Sequence, residues 1–271
     1  MANHSEKVHQ GHYARKRFGQ NFLVDPNVIG KIVAAIAPKP EQNLIEIGPG
    51  QGAITAPLLE RCGNLQVVEL DRDLIPRLQA RFQAQYPGFT IFQGDALKTD
   101  FSQFIKADHP LRIVGNLPYN ISTPLLFHLL KYHASITDMH FMLQKEVVDR
   151  LSATPGTKTY GRLSVMVQYY CEVQPLFAVP PGAFKPAPKV ESAIVRLKPH
   201  THLPHPAKDV QALSRLVSAC FQQRRKTIRN TLKHLLDSDK LEKIDFDLSL
   251  RPEKLSVADF VNLGNQMEIL L

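Results

Sequence analysis

Short apolar runs alternate with amphipathic segments along the first 150 residues, and this alternation predicts the elements of the fold. Asp25-Pro26 opens the first amphipathic segment, since Asp suits a helix N-cap and Pro the first helical position. Val28, Ile29, Ile32, Val33 and Ile36 recur at the spacing of one helical face, and Pro38 and Pro40 end it. The runs 44–47, 65–70, 89–92, 113–117 and 139–143 read as strands. The segments 53–61, 72–86, 122–133 and 144–152 read as helices between or after them. Strands and helices alternating at this spacing predict an α/β domain, a mostly parallel sheet with helices on both faces.

The pattern changes near residue 155. Thr154-Pro155-Gly156 and Tyr160-Gly161 mark a loop, and 163–170 reads as a helix. Residues 173–179 and 192–197 read as strands around a proline-rich bend, which adds an antiparallel pair at the sheet edge. The stretch 199–206, with Pro199, Pro204 and Pro206, is the predicted linker. Beyond Asp209 the pattern is helical: Val210, Leu213, Leu216, Val217 and Cys220 form one stripe, and Ile228, Leu232 and Leu235 a second. Three parts are expected: a flexible basic arm over 1–20, the α/β domain over 21–200, and a small all-α domain over 207–271.

With 271 residues, 44% of them hydrophobic, the chain can bury a real core, which excludes wholesale disorder. No stretch approaches the roughly 18 consecutive apolar residues of a spanning helix, and residues 1–22 lack the apolar region of a signal peptide. A cytoplasmic protein without a membrane partner is expected. Cys62, Cys171 and Cys220 are far apart and show no C-x-x-C spacing, so neither a disulfide framework nor a zinc site is predicted. The net charge of +8 is unevenly spread: residues 1–39 carry six basic and two acidic side chains, residues 40–110 six and nine. A solvated basic surface and a polyanionic partner both fit this distribution.

The first predicted strand leads into Glu46-Ile47-Gly48-Pro49-Gly50-Gln51-Gly52, where three alternate glycines let backbone approach a ligand closely. For the loop alone, a ligand-free tight turn and a dinucleotide site remain alternatives. The dinucleotide fingerprint is G-x-G-x-x-G, whereas this loop is G-x-G-x-G, and Pro49 removes an N–H that a pyrophosphate would use. Glu69 ends the second strand, where a carboxylate either accepts both hydroxyls of a ribose or simply faces solvent. Gly94-Asp95-Ala96 follows the third strand, and Asp95 can accept from an adenine amine. Three strand-end acids on the carboxyl edge of a sheet suit an adenosine that carries a cationic group.

These residues resemble the class I S-adenosylmethionine-dependent methyltransferases, whose sheet is Rossmann-like. The resemblance implies that Glu46, Gly48, Gly50 and Gly52 surround the methionine part of S-adenosyl-L-methionine. It also implies that Glu69 holds the ribose and Asp95 the adenine amine, with Leu70 and Ala96 beside them, and that Asn116 at the end of the fourth strand touches the cofactor too. The product would be S-adenosyl-L-homocysteine. No H-E-x-x-H or other metal-ligand spacing is present, so no metal is expected.

The fourth strand runs into Gly115-Asn116-Leu117-Pro118-Tyr119-Asn120. An exocyclic base amine is a poor nucleophile because its lone pair is delocalised into the ring. Two acceptors aimed at its N–H groups favour the pyramidal, nucleophilic form, and the Asn116 side-chain oxygen and the Leu117 carbonyl are candidates. Pro118 fixes the turn, and Tyr119 offers a face on which an unpaired base can stack, worth about 1–3 kcal/mol. No general base is required, because a sulfonium methyl is already activated and in-line positioning supplies most of the effect. The box resembles that of the amino-methyltransferases acting on adenine N6.

Phe184, in Pro181-Gly182-Ala183-Phe184-Lys185-Pro186, reads from composition as a packed loop aromatic. The wider string Pro180 to Ser192, however, resembles a motif of the ribosomal RNA adenine dimethyltransferases, in which this Phe lies at the target-base pocket. Arg17-Phe18-Gly19-Gln20-Asn21-Phe22-Leu23 matches the same family, where the equivalents of Asn21 and Leu23 touch the cofactor. Phe221 to Lys226 with Arg229-Asn230 matches it in the helical region. The matches run in order from about Arg15 to Pro252 and fit best the small-subunit (16S) enzymes, whose loss gives kasugamycin resistance. That family converts two adjacent adenosines of a 3′-terminal hairpin to N6,N6-dimethyladenosine during small-subunit biogenesis.

Between Val210 and Leu236 there are six basic residues and no acidic one. Arg225 and Arg229 are four apart, which predicts a shared helical face. Arg224, Arg225, Lys226, Arg229 and Lys233 are the expected phosphate contacts, a solvated helix face being the alternative. The expected partner is 16S rRNA in an immature 30S subunit, bound by a monomer. Four rivals remain: a 23S rRNA methylase conferring macrolide resistance, a DNA adenine methylase, a nicotinamide dehydrogenase, and a non-catalytic assembly factor. The two family strings, the Leu that replaces the usual Pro after Asn116, the glycine spacing and the intact box disfavour them in turn.

Overall fold

The structure, a computed structural model, describes residues 21–106 and 108–270, with backbone alone for 8–9, 12–13 and 268–270. Strands β1 (Val8–His9) and β2 (His12–Tyr13) pair antiparallel. The remainder of the expected basic arm, including Arg17 to Gln20 of the family string, lies outside the described residues. Strand β3 (Phe22–Leu23) precedes helix α1 (Pro26–Ile36). The helix starts where capping chemistry dictates: Asp25 Oδ1 accepts from the Asn27 and Val28 amides at 2.8 and 3.2 Å. It stops at Ala37, which turns left-handed at φ 46°.

Strands β4 (Asn43–Ile47), β5 (Asn64–Glu69), β6 (Gly88–Gln93), β7 (Leu111–Asn116) and β8 (Ile136–Gln144) run parallel. Helices α2 (Thr55–Cys62), α3 (Ile75–Leu78, continued by a π turn over Gln79–Gln83), α4 (Ser122–Leu130) and α5 (Lys145–Leu151) follow these strands. Helix α6 (Arg162–Tyr170) and strands β9 (Cys171–Val179), β10 (Phe184–Lys185) and β11 (Ser192–Pro199) come next. The seven-stranded order is β6-β5-β4-β7-β8-β11-β9, with β11 antiparallel to β8. Leu44, Ile45, Val67, Ile113 and Phe141 are buried, as expected of central strands covered on both faces. The predicted helix over 72–86 is shorter and partly π-helical, because residues 79–83 widen the last turns.

Two compact units result: residues up to 148 with 174–199, and residues 149–173 with 200–271. The sequence places 149–173 in the α/β domain, whereas the structure groups it with the C-terminal helices α7 (Val210–Gln222), α8 (Ile228–Leu232), α9 (Ser238–Glu242) and α10 (Val257–Leu270). The reason is packing: α6 lies against α7 and α10, and the Tyr160 ring meets Phe221 edge-on at 6.1 Å. The basic stretch is not one helix either. Thr227 is extended and caps α8, its hydroxyl accepting from the Asn230 amide at 3.4 Å. Arg225 therefore lies between α7 and α8 and shares no helical face with Arg229. The second apolar stripe ends with α8, so Ile228 and Leu232 are buried while Leu235 is 48% exposed.

A buried charge cluster joins the neighbouring strands β7 and β8, where Arg112 lies opposite Asp138. Arg112 donates to both oxygens of Asp138 at 2.8 and 3.0 Å, to Gln42 Oε1 at 2.6 Å and to the Ile36 carbonyl at 2.7 Å. Burial pushes the neighbouring His140 down to about 4, which keeps it neutral at pH 7. Asp138→Ala should lower the unfolding free energy by about 3–5 kcal/mol, because it strands a buried guanidinium. Urea melts check this, and a loss under about 1 kcal/mol would show that solvent replaces the carboxylate.

Candidate active site

The strand order reverses between β4 and β7, and the loops at their carboxyl ends part there. With the neighbouring loops they frame a cavity of about 600 Å³. The loop after β4 is held by the Gly48 amide donating to the Val68 carbonyl and the Gly52 amide to the Pro49 carbonyl, both at 2.9 Å. Gly48, Gly50 and Gly52 have φ of 67°, 59° and 82°, a region that only glycine occupies without strain. At Gly52 a Cβ would also fall 2.7 Å from the Phe82 ring. Gly52 therefore packs against Phe82, while the other loop residues named there, Glu46, Gly48 and Gly50, line the cavity.

Four acidic side chains, Glu46, Glu69, Asp71 and Asp95, line the cavity. Burial pushes Glu69 up to about 7, against amide donors from Asp71, Gly50 and Leu70, and the Asp71 carboxylate adds to the rise. The Asp71 amide reaches Glu69 Oε1 at 2.7 Å. Burial likewise raises Glu46 to about 7, against the Thr55 hydroxyl, which donates to its Oε2 at 2.6 Å. Asp95 heads a tight turn in which its Oδ1 accepts from the Leu97 amide at 3.0 Å. Leu70, 49% exposed, and Ala96 line it as well. Two carboxyls poised near neutrality in a shielded cavity favour a ligand that brings positive charge and hydroxyl donors.

The residues expected to act on the base line the same cavity. Asn116 Nδ2 donates to the Asn21 carbonyl at 3.2 Å, which orients the amide and leaves its Oδ1 as an acceptor. The Leu117 amide donates to the Met142 carbonyl at 3.2 Å, and the Ile121 amide closes the turn onto the Pro118 carbonyl at 3.2 Å. Tyr119 is held at both ends: its carbonyl accepts from Ser122 Oγ at 3.1 Å, and its hydroxyl lies 2.8 Å from Ser192 Oγ. Phe184 arrives from far along the chain because β10 pairs with β3, Phe184 opposite Leu23 and Lys185 opposite Phe22. The Val24 amide extends this pairing onto the Ala183 carbonyl at 2.8 Å. Asn21, Leu23, Asn116, Leu117, Pro118, Tyr119 and Phe184 thus share one cavity with the acids. Phe184 is 3% exposed, so it is a packed aromatic and a cavity wall at once.

Two charged lining residues were not among the sequence-based site candidates. Asp71 is buried beside Glu69, and its place two residues beyond a strand-end acid was a readable signal. Arg81 reaches the cavity from the π turn and donates to the Gln51 carbonyl at 2.8 Å; nothing in its sequence neighbourhood marks it. The five expected phosphate contacts belong to the second unit, whereas every lining residue belongs to the first. Arg225, Lys226, Arg229 and Lys233 are exposed, and so is Arg224, although its Nη2 is tied to the Lys158 and Tyr160 carbonyls at 3.1 and 3.2 Å. Among the described residues no group of three or more His, Cys, Asp or Glu is placed to hold a metal ion. None of their helices is long and apolar enough to cross a membrane.

Comparison with known proteins shows the family. A family model described as ribosomal RNA adenine dimethylase matches residues 11–268. The ribosomal RNA small subunit methyltransferase A of Saccharophagus degradans is 59% identical over 267 residues, covering 98% of this chain and 99% of that protein. Its namesake in Pseudomonas syringae pv. tomato is 60% identical over 256 residues, covering 94% and 95%. Among solved structures, a dimethyladenosine transferase from Plasmodium falciparum superposes with a TM-score of 0.76 at 27% identity, covering 89% of this chain and 95% of that one. The fold is that of the class I methyltransferases with a helical C-terminal part, and the chain belongs to the ribosomal RNA adenine dimethylase family.

Proposed function

We propose that this methyltransferase uses S-adenosyl-L-methionine to methylate N6 of two adjacent adenosines in the 3′-terminal hairpin of 16S rRNA, forming N6,N6-dimethyladenosines in the immature small subunit. The observation that carries the reading is the one cavity that the Asn116–Tyr119 box and Phe184 line together with Glu46, Glu69 and Asp95. The small-subunit name of relatives about 59–60% identical favours this substrate over 23S rRNA. The intact box favours catalysis over a purely architectural role in assembly. Action as a monomer in the cytoplasm, with no metal, completes the proposal.

The residues fit the cofactor by charge and shape. Glu69 would hold the ribose, Asp95 the adenine amine, and the Glu46–Gly50 loop with Asn21 and Leu23 the methionine part. Bound there, S-adenosyl-L-methionine supplies a methyl already activated by its sulfonium and is left as S-adenosyl-L-homocysteine. The target adenine must leave its stack to enter, and Tyr119 and Phe184 offer aromatic surface in exchange. Asn116 Oδ1 and the Leu117 carbonyl accept from the N6 amine and concentrate its lone pair. The Asn116 amide is oriented by the Asn21 carbonyl, and the Leu117 amide anchors the adjoining backbone to the Met142 carbonyl, which limits reorganisation when charge develops. In the second unit, Arg225, Lys226, Arg229 and Lys233 would neutralise phosphates and make binding fall with salt.

Asn116→Ala should slow methyl transfer to unmethylated small subunits by roughly 100-fold or more, the scale of losing one preorganised electrostatic partner, while subunit binding persists. Equal loss of binding and transfer would instead make the box structural. The raised carboxyls give a second expectation. With folded values near 7 against 4.5, each contribution to stability is present below about 4.5 and lost as the pH rises through 7. A cationic ligand favours the ionised forms, so binding should expel protons near neutrality. Cofactor affinity measured by calorimetry should rise roughly tenfold from pH 6 to 8 for each carboxyl that must ionise. A flat profile would contradict the assignment of these carboxyls to the cofactor.

A further inference from the structure

Ser192 opens β11 and is fully buried, with 0% of its surface exposed. The register of β11 on β8 sets it opposite Gln144, and the Lys145 amide donates to the preceding Glu191 carbonyl at 2.9 Å, so its backbone is fixed to the central sheet. Its Oγ lies 2.8 Å from the hydroxyl of Tyr119. Tyr119 itself is only half-buried, in a loop whose backbone is held by Ser122 and the Pro118 turn. Those backbone bonds fix the Tyr119 Cα but not the ring, which keeps two torsions of freedom. An aromatic surface that receives a base must present one plane, and ordering it on demand would cost binding free energy.

The chain path adds a second consequence. The segment that ends at Ser192 begins at Phe184, which is locked to β3 by strand pairing and lines the same cavity as Tyr119. One short segment, stiffened by Pro186 and Pro188, therefore supplies an aromatic wall at one end and the anchor of the other wall at its far end. We propose that Ser192 is a positioning residue: its hydroxyl sets the plane of the Tyr119 ring, so that the incoming adenine meets a preformed stacking surface aligned with Phe184. The role rests on the adenine-methylating reading of the cavity.

A double-mutant cycle tests it. Single-turnover methyl transfer to unmethylated small subunits at saturating cofactor is measured for the wild type, Ser192→Ala, Tyr119→Phe and the double variant. Cofactor affinity and thermal midpoint are recorded for each. Both single variants remove the same hydrogen bond, so each should slow transfer roughly three- to tenfold, with the double variant no slower than the slower single one. Cofactor affinity should stay within about twofold of wild type, since neither atom belongs to the cavity's carboxyls. Losses that multiply, or a wild-type rate for either single variant, overturn the role. If Ser192→Ala does not fold, Tyr119→Phe at the wild-type rate overturns it alone. A wild type that transfers no methyl would sink the functional reading as well, whereas an active wild type with multiplying losses sinks only the role of Ser192.

Discussion

Holding Glu46 and Glu69 out of water at the carboxyl edge of a parallel sheet is costly, and much of the first unit is arranged around that cost. Each carboxyl is met by donors: the Thr55 hydroxyl on Glu46, and amides of Gly50, Leu70 and Asp71 on Glu69. The Gly50 amide comes from the glycine loop, which turns left-handed at Gly48 and Gly50, the Leu70 and Asp71 amides come from the chain just beyond β5, and the Thr55 hydroxyl comes from the start of α2. Burial still outweighs them and leaves both groups near 7. That residual penalty suits a ligand that brings positive charge and hydroxyl donors to the two carboxyls.

The reactive side depends on a much smaller device. Two residues of β3 pair with two of β10, and this short ribbon brings Leu23 and Phe184 together across 160 positions of chain. The same stretch carries Asn21, whose carbonyl orients the Asn116 amide. The acceptor face of the box and the Phe184 wall are therefore coupled through one ribbon, while the acids are set by the parallel sheet itself. Asn21 and Leu23, proposed to touch the methyl donor, lie on the same ribbon as the Phe184 wall, so the two proposed functions meet at β3.

Most of the sheet was legible because parallel strands covered on both faces read as continuous apolar runs, as 44–47 and 113–117 do. The start of α1 was legible from Asp25-Pro26, and the acids at the strand ends from their position alone. The β3–β10 ribbon was not, since two residues show no periodicity; only the family strings brought Asn21, Leu23 and Phe184 into view. Long-range side-chain partnerships such as Tyr119 with Ser192 leave no trace in local pattern. The grouping of 149–173 with the C-terminal helices was hidden because it is decided by packing partners such as Phe221, not by composition. The break before α8 was readable in principle, for Thr227 is a good N-cap, but the apolar stripe through Leu235 concealed it.

Mapping of methyl groups transferred from labelled S-adenosyl-L-methionine to unmethylated small subunits, large subunits and free RNA tests the central claim most directly. Label confined to two adjacent adenosines near the 3′ end of the small-subunit RNA, each as dimethyladenosine, is the predicted result. Label in large-subunit RNA, or none anywhere while cofactor and subunits both bind, would contradict it.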